Sequence, residues 1–482
     1  DSGGDTLTGT LDVTMQDDAT GVTMVTGSAA SSLNTGAGSA ASATVDADKL
    51  ANNTLLTLTG AGTVVGTGLI GDVNAAGLSG AITLTAADNT DDNGIDITIG
   101  SANTTLTGTG TDDTVTVDAG GETGNTLNIT GDSIFDVSNL AQALDANATG
   151  LGTLAGTLTA TTVDLSDGAA LDITLGAAQS NITVNENSTG AGELAEAIID
   201  ASAMTSGELV LDGTGDVEVD GARRNVDASD LTGTLDVDSA NNVTLTVTTG
   251  SADTEVSSNG SSSNITVDAT ALTGDADRDT FELVLNGSGR TQAENVSVDV
   301  DASELTGRLD LSAASNADIQ VLAGSSNAYI EAGANAALAV DASPMISGIN
   351  LFAFGSGDIT VNAVGSGVVV DADGDSDNSH GALTGELAVN LADAAGSVTV
   401  RTGDAATTVT GESGNATINA TALDIDTALT FSGSSDFTVT GLVGDVVTSE
   451  ASGTLTVTTG NASDNEISIQ TSIGETTINA NG

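Results

Sequence analysis

The chain has no Cys and no Trp, and it contains one Pro, one Tyr and one His in 482 residues. Without Cys no disulfide can stabilise the fold, and cysteine usage does not indicate whether the protein lies in an oxidising or a reducing compartment. The scarcity of Pro suits a central parallel ladder, which cannot spare a backbone N–H group. The scarcity of aromatic residues argues against an immunoglobulin-like sandwich, whose core centres on buried aromatics. No apolar run approaches the length that crosses a bilayer, so we expect no membrane span.

Basic residues are also scarce, since 7 Lys and Arg stand against 67 Asp and Glu and give a formal net charge of -60. Such a charge repels nucleic acid, which we therefore exclude as a partner. It also repels itself unless cations bind to it, so saline or calcium-rich water should stabilise the fold. A hydrophobic content of 39% argues against disorder.

One phrase is abundant: a β-branched residue, Asp or Asn, a small residue, and then a Leu-Thr-Gly-x-Leu run. The clearest copies begin at Val226, Val267 and Val300, and weaker copies begin at Val340, Val370 and Ile418. A second marker is a polar residue followed by hydrophobic-x-hydrophobic, and it begins at Asp216, Asn242, Thr280, Asp318, Asp358, Ser397 and Asp436. After a short first step the second marker returns about every 39 residues, which indicates a repeat array.

The array has no internal boundary of composition. We expect about a dozen degenerate units that run continuously through residues 1–482, more degenerate in 1–200 and clearer in 201–482. The chain lacks an initial Met and a signal peptide, so we expect a mature or trimmed segment.

The unit itself is all-β. Five-residue alternations of aliphatic residues with Thr, such as Thr454–Thr458, predict strands, and Gly, Asn, Asp and Ser between them predict turns. With few aromatics, Val, Ile, Leu, Ala and Thr can still fill the thin interior of a parallel solenoid. We therefore predict an elongated parallel β-solenoid, similar to a β-helix or β-roll, with two coils of roughly 20 residues in each unit. Tandem β-sandwiches are the alternative.

The same frame predicts which leucines fill the interior, because they recur on either side of the Thr-Gly turn. The leucines that we expect to point inward are Leu231, Leu235, Leu305, Leu309, Leu383 and Leu387.

The Asp-Ala-Ser-x-Leu-Thr-Gly-x-Leu phrase, the run Gly355–Val361 and the Lys-poor, Thr/Ala/Gly/Asp-rich background resemble the repeat regions of bacterial surface-layer proteins and RTX-type secreted proteins. The resemblance implies secretion, a need for calcium, and assembly into lattices, fibres or stalks. The chain departs from the RTX nonapeptide, which does not occur in regular tandem; Gly108–Val115 comes nearest and is out of step by one residue. Regular calcium sites between all coils are therefore not expected.

The best single metal candidate is an acidic loop with carboxylates at every second position. Its predicted calcium ligands are Asp371, Asp373, Asp375 and Asp377. Alternating carboxylates on a turn of small residues can converge on a hard cation, although the Glu at the twelfth position of an EF-hand is missing. The alternative is a solvated acidic loop between two coils.

We expect a structural, non-enzymatic protein located outside the cell, at its surface. It would be the repeating subunit of a surface layer or filament that assembles head to tail with divalent-cation support. Both ends of the chain read as repeat without a cap, which favours such assembly. The partners that we expect are further copies of the chain and cell-surface polysaccharide. The main alternative is an adhesin or autotransporter-like stalk; an ice-binding protein and a carbohydrate-active β-helix are minor alternatives.

Overall fold

The computed structural model describes residues 7–88, 94–166, 169–186, 196–273, 281–374, 380–393, 395–460, 466–471 and 474–480. All regular elements among these residues are β-strands, and none of the described residues forms a helix long and apolar enough to span a membrane. Two compact units divide the chain, Asp1–Asp238 and Ser239–Gly482.

Unit 1 contains short strands, most of four to seven residues, and the last strand ends at the boundary. They are β1 (Leu11–Thr14), β2 (Val22–Val25), β3 (Ser31–Asn34), β4 (Ser42–Asp46), β5 (Leu56–Gly60), β6 (Thr63–Leu69), β7 (Val73–Leu78), β8 (Ile82–Ala86), β9 (Ile95–Thr98), β10 (Thr104–Gly108), β11 (Thr114–Asp118), β12 (Thr126–Gly131), β13 (Ile134–Leu140), β14 (Ala143–Asp145), β15 (Leu158–Thr162), β16 (Ala170–Thr174), β17 (Ser180–Val184), β18 (Glu196–Asp200), β19 (Leu209–Gly213), β20 (Asp216–Ala222), β21 (Val226–Leu231) and β22 (Leu235–Ser239).

Unit 2 continues the same pattern of short strands. They are β23 (Thr244–Thr248), β24 (Thr254–Ser258), β25 (Asn264–Asp268), β26 (Leu283–Gly287), β27 (Arg290–Val296), β28 (Val300–Asp301), β29 (Leu309–Ala313), β30 (Asp318–Leu322), β31 (Ala328–Ala332), β32 (Ala337–Asp341), β33 (Asn350–Gly355), β34 (Asp358–Val364), β35 (Val369–Asp371), β36 (Leu387–Leu391), β37 (Ala395–Arg401), β38 (Thr407–Gly411), β39 (Gly414–Asn419), β40 (Ala428–Gly433), β41 (Asp436–Leu442), β42 (Asp445–Ala451), β43 (Leu455–Thr459), β44 (Ile469–Gln470) and β45 (Thr476–Asn479).

Within each unit the strands stack in two parallel sheets. Odd-numbered strands pair with odd-numbered ones, as β5 does with β7, and even-numbered strands pair with even-numbered ones, as β32 does with β34. One odd and one even strand make one coil of about 21 residues. The predicted parallel β-solenoid is confirmed, and tandem sandwiches are wrong.

The interior follows from the alternation of side chains along each strand. In β11, Val115 and Val117 are buried, and Thr116 between them faces outward. All six leucines that the repeat frame placed inward are buried, with Leu305 and Leu383 fully so. Because each interior position lies above a similar one in the next coil, aliphatic side chains fill the core without aromatics.

The Asp of the repeated phrase ends a strand and starts a turn. The Asp301 carboxylate accepts a hydrogen bond at 2.8 Å from the N–H of Ser303, and Asp341 does the same for Ser343 at 2.8 Å. Such a side-chain turn satisfies a backbone donor where the sheet ends. Copies of the phrase at Val300 and Val340 therefore build the same corner.

The Thr-Gly pair of the phrase joins one coil to the coil before it. The N–H of Thr306 donates to the carbonyl of Gly287 at 2.8 Å, and its hydroxyl donates to the same oxygen at 3.1 Å. Gly307 lies so close to the preceding coil that a Cβ there would overlap the carbonyl oxygen of Gly289. The corner therefore accepts no side chain after the Thr.

The second marker makes a further bond between coils. The Asp216 carboxylate accepts the N–H of Thr234 at 2.8 Å, and Asp358 accepts that of Glu386 at 2.8 Å. Asp436 does the same for Thr454, and this backbone hydrogen bond, together with one from the Thr454 hydroxyl, holds the pKa of Asp436 below its usual value. Both markers of the sequence are thus contacts between successive coils.

We predict that Gly307→Ala lowers the free energy of unfolding by about 1–3 kcal/mol, because the added methyl group would push two coils apart. Gly365→Ala is the matched control, since a Cβ at Gly365 meets nothing within 4 Å. Urea unfolding followed by circular dichroism measures both variants. Equal unfolding midpoints for the two variants would show that the corner tolerates a side chain.

Candidate functional site

The rarest side chains of the sequence lie together on one face of unit 2. The only Tyr and the only His of the chain are joined there by two of its six Arg and two of its six Phe. We call this group the arginine–aromatic cluster, and it consists of Arg290, Arg308, Asp310, Tyr329, Phe352, Phe354 and His380. A gathering of scarce residue types in one place is unlike the rest of the described surface, where Thr, Asp, Asn and Ser prevail.

Parallel register brings the cluster together. Asp310 in β29 pairs with Tyr329 in β31, Tyr329 pairs with Phe352 in β33, and Phe352 pairs with Asp371 in β35. Since paired residues in a parallel sheet point to the same face, these side chains form one column along the outside of the odd-numbered strands. Asp371 in turn pairs with Arg401 in β37, which extends the column by one more coil.

The aromatic rings of the column are in contact. The ring centroids of Tyr329 and Phe352 are 4.4 Å apart in a stacked arrangement, which is close to the spacing of neighbouring strands. Phe354 lies 6.2 Å from Phe352, and the ring of His380 stacks on Phe354 at 4.6 Å. Phe354 is only 2% exposed, although its position in the strand points it outward. The His380 contact therefore holds the chain after the acidic loop against the sheet.

Two arginines share one carboxylate at the other end of the ring stack. The Arg308 Nε donates to Asp310 Oδ1 at 2.5 Å, and Arg290 is bonded to Asp310 Oδ2. The Arg308 guanidinium also lies 3.5 Å above the centre of the Tyr329 ring, in cation–π contact. The Arg308 and Arg290 side chains remain 39% and 41% exposed, whereas that of Asp310 is 12% exposed. One carboxylate thus pairs with two guanidinium groups, both of which remain partly exposed.

Of the predicted calcium ligands, Asp371 and Asp373 are described, and Asp375 and Asp377 lie outside the described residues. Asp371 is buried and occupies the turn position of the repeated phrase. Its Oδ1 accepts the N–H of Asp373 at 3.3 Å, and its Oδ2 accepts a hydrogen bond from Arg401 at 2.8 Å. Both carboxylate oxygens of Asp371 therefore already have a protein partner.

Burial, followed by the side-chain hydrogen bond and the charge of Asp373, raises the pKa of Asp371 to about 6. The Arg401 guanidinium acts in the opposite direction, because it favours the ionised carboxylate. Among the described residues no group of three or more His, Asp or Glu side chains is placed to hold one metal ion. Calcium binding by the acidic loop stays a prediction.

Sequence reasoning identified one member of the column, Asp371, but missed its aromatic and basic neighbours. The signal that could have found them is rarity, since Tyr329 and His380 have no counterpart elsewhere in the chain. Their proximity needed the register, and the loops between coils vary in length. The interval from Asp310 to Tyr329 is shorter than that from Tyr329 to Phe352, so a fixed period does not align the three.

We predict that replacing Asp371 by Asn changes how stability depends on pH. The pKa of Asp371 is raised in the folded protein above about 3.9, the value of an unfolded chain, so folding disfavours the ionised form. As the pH falls from 7 through 6 towards 4, wild type takes up a proton that stabilises the folded state, and the variant does not. The stability of Asp371→Asn relative to wild type should therefore be higher at pH 7 than at pH 4.5.

Urea unfolding midpoints at the two pH values measure this difference. Asp341→Asn is the control, because Asp341 makes the same turn in another copy of the phrase and is not buried. A gap between wild type and Asp371→Asn that stays constant with pH would contradict the raised pKa.

Comparisons of the chain with protein-family models, with curated proteins and with solved structures gave no match.

Proposed function

We propose that the chain is a structural, non-enzymatic protein located outside the cell, the repeating subunit of a surface layer or filament. One observation carries the proposal: the residues repeated most faithfully make bonds between coils. The Thr-Gly corner and the Asp of the second marker bond one coil to the next, and the Asp of the phrase closes the turn beside that corner. Repeated residues that hold successive coils together suit a structural protein that forms a regular assembly.

Divalent cations support the assembly in this proposal, because carboxylates stack in register on the outside. In the even-numbered strands of unit 1, Glu196 pairs with Asp216 and Asp200 pairs with Asp220. Burial, followed by the charges of neighbouring carboxylates, raises the pKa of Glu218 in the same sheet. Like charges that face each other across a ladder are destabilising. Cations that bind between such pairs relieve the repulsion within one copy and between copies.

The proposed contact between copies is head to tail, so that the ladder of one copy continues in the next. The alternative is an adhesin or autotransporter-like stalk, which uses the same coils as a monomer. The two proposals differ in whether the purified protein associates with itself.

We predict that the purified protein forms ordered assemblies of high mass in millimolar calcium and that EGTA dissolves them and lowers the melting temperature. Sodium chloride at the same ionic strength should substitute only in part, because a monovalent ion does not bridge two carboxylates. Light scattering and negative-stain electron microscopy measure the assemblies, and circular dichroism measures the melting temperature.

Glu218→Gln should reduce the calcium dependence of the melting temperature, since it removes one of the crowded carboxylates. Glu304→Gln removes the same charge from an exposed turn and serves as the control. A protein that stays monomeric at high concentration in calcium would overturn the assembly and favour the stalk.

A further inference from the structure

The arginine–aromatic cluster surrounds a surface recess of about 420 Å³, open mouth included. Besides cluster residues, Gln292, Ser312 and Glu331 line it. We propose that this recess is a binding site for a small sugar acid, either free or as the acidic end residue of a glycan. The carboxylate of the ligand would bind Arg308, and its hydroxyl groups would bind the polar side chains of the rim. This inference does not depend on whether the chain assembles with itself.

Arg308 is held in position before any ligand arrives. Its Nε is bonded to Asp310, and its guanidinium plane lies against Tyr329, whose ring is supported from the next coil by Phe352. Within the part of the chain that the structure describes, its two terminal nitrogens make no hydrogen bond. The two terminal nitrogens of this partly exposed guanidinium carry four N–H groups, and such a fork matches a carboxylate in a bidentate pair.

The recess is formally close to neutral, in contrast to the acidic chain around it. Asp310 pairs with both arginines, and Glu331 lies at the rim, so two positive and two negative groups of the recess balance. A chain with a net charge of -60 repels a polyanion over its whole length, but at physiological ionic strength the repulsion fades within about 8 Å. A small monocarboxylate therefore interacts mainly with the groups of the recess itself, of which the Arg308 guanidinium is the one that can bind it. A second copy of the chain and a long acidic polymer are both less favoured occupants.

The rest of the recess suits a hydroxylated body. The Gln292 amide, the Ser312 hydroxyl and the Glu331 carboxylate present donors and acceptors around the mouth. Glu331 is exposed and would repel a second acidic group, but its oxygens accept hydrogen bonds from hydroxyls. The ring of His380 and the edge of the Tyr329 ring offer apolar surface to the C–H groups of a sugar ring. Sites of this kind combine apolar walls with a few fixed polar groups.

Binding of glucuronate, glucose and a trigalacturonate, measured by calorimetry and by saturation-transfer NMR at 0.15 M salt, tests the inference. We expect glucuronate to bind and glucose, which lacks the carboxylate, to bind about ten- to a hundredfold more weakly. Higher salt should weaken glucuronate binding. Trigalacturonate separates the two sources of the ligand: binding as tight as that of glucuronate indicates the end of a glycan, and weaker binding indicates a free sugar acid.

Arg308→Gln should reduce glucuronate affinity about ten- to a hundredfold, and Arg308→Lys should also reduce it, because Lys keeps the charge but loses the fork. Arg223→Gln makes the same change of charge at an exposed position in unit 1 and should leave binding unchanged. The comparison of glucuronate with glucose uses the wild-type protein alone. It therefore tests whether binding needs the carboxylate even if Arg308→Gln folds poorly. Equal affinity of the wild type for glucuronate and glucose would overturn the proposal. So would a loss of glucuronate affinity in Arg223→Gln as large as that in Arg308→Gln.

Discussion

Everything in this structure depends on one constraint, which is that each coil satisfies its hydrogen bonds on the next coil. A parallel strand has its backbone donors and acceptors directed sideways, so a single coil of about 21 residues is incomplete alone. Side chains extend the same rule beyond the strands. Asp301 serves the turn, Thr306 bonds to the preceding coil, and Asp216 accepts an N–H from the coil that follows. The sequence repeats because successive coils need the same hydrogen bonds to their neighbours.

That constraint explains why the fold class could be predicted from the sequence. Thr-aliphatic alternation indicated strands, and the lack of aromatics argued against a sandwich core, which stayed the alternative. The fixed frame of Leu305 and Leu309 placed both inside, where the structure has them. The contacts behind the markers could not be predicted. Nothing in the sequence states that the Asp of the phrase bonds within its own turn while the Asp of the second marker bonds to the next coil. Both are an Asp beside a hydrophobic residue.

The site was harder to predict than the fold because it depends on register across loops of different length. Tyr329 and Phe352 stack only because the longer connection between them still returns the chain to the same column. Asp371 was identified from its acidic neighbours, yet its observed partners are Asp373 within the turn and Arg401 in the next coil. The alternating carboxylates thus pointed to a residue of the column because they predicted calcium ligands. The observed partners of Asp371 are protein groups, namely the N–H of Asp373 and the guanidinium of Arg401.

The arginine–aromatic cluster differs from the rest of the described surface in the charges that the stacking of coils brings together. At some places on the outside, stacking in register brings carboxylates near carboxylates, as Asp200 and Asp220 show. In the cluster the same stacking brings Arg308 over Tyr329 and two arginines to one Asp310. A guanidinium spreads its charge over a plane that fits against a ring, so it can lie in a ladder where an ammonium would need water. The same stacking that brings carboxylates together elsewhere therefore holds the Arg308 guanidinium in place here, with its two terminal nitrogens available to a ligand.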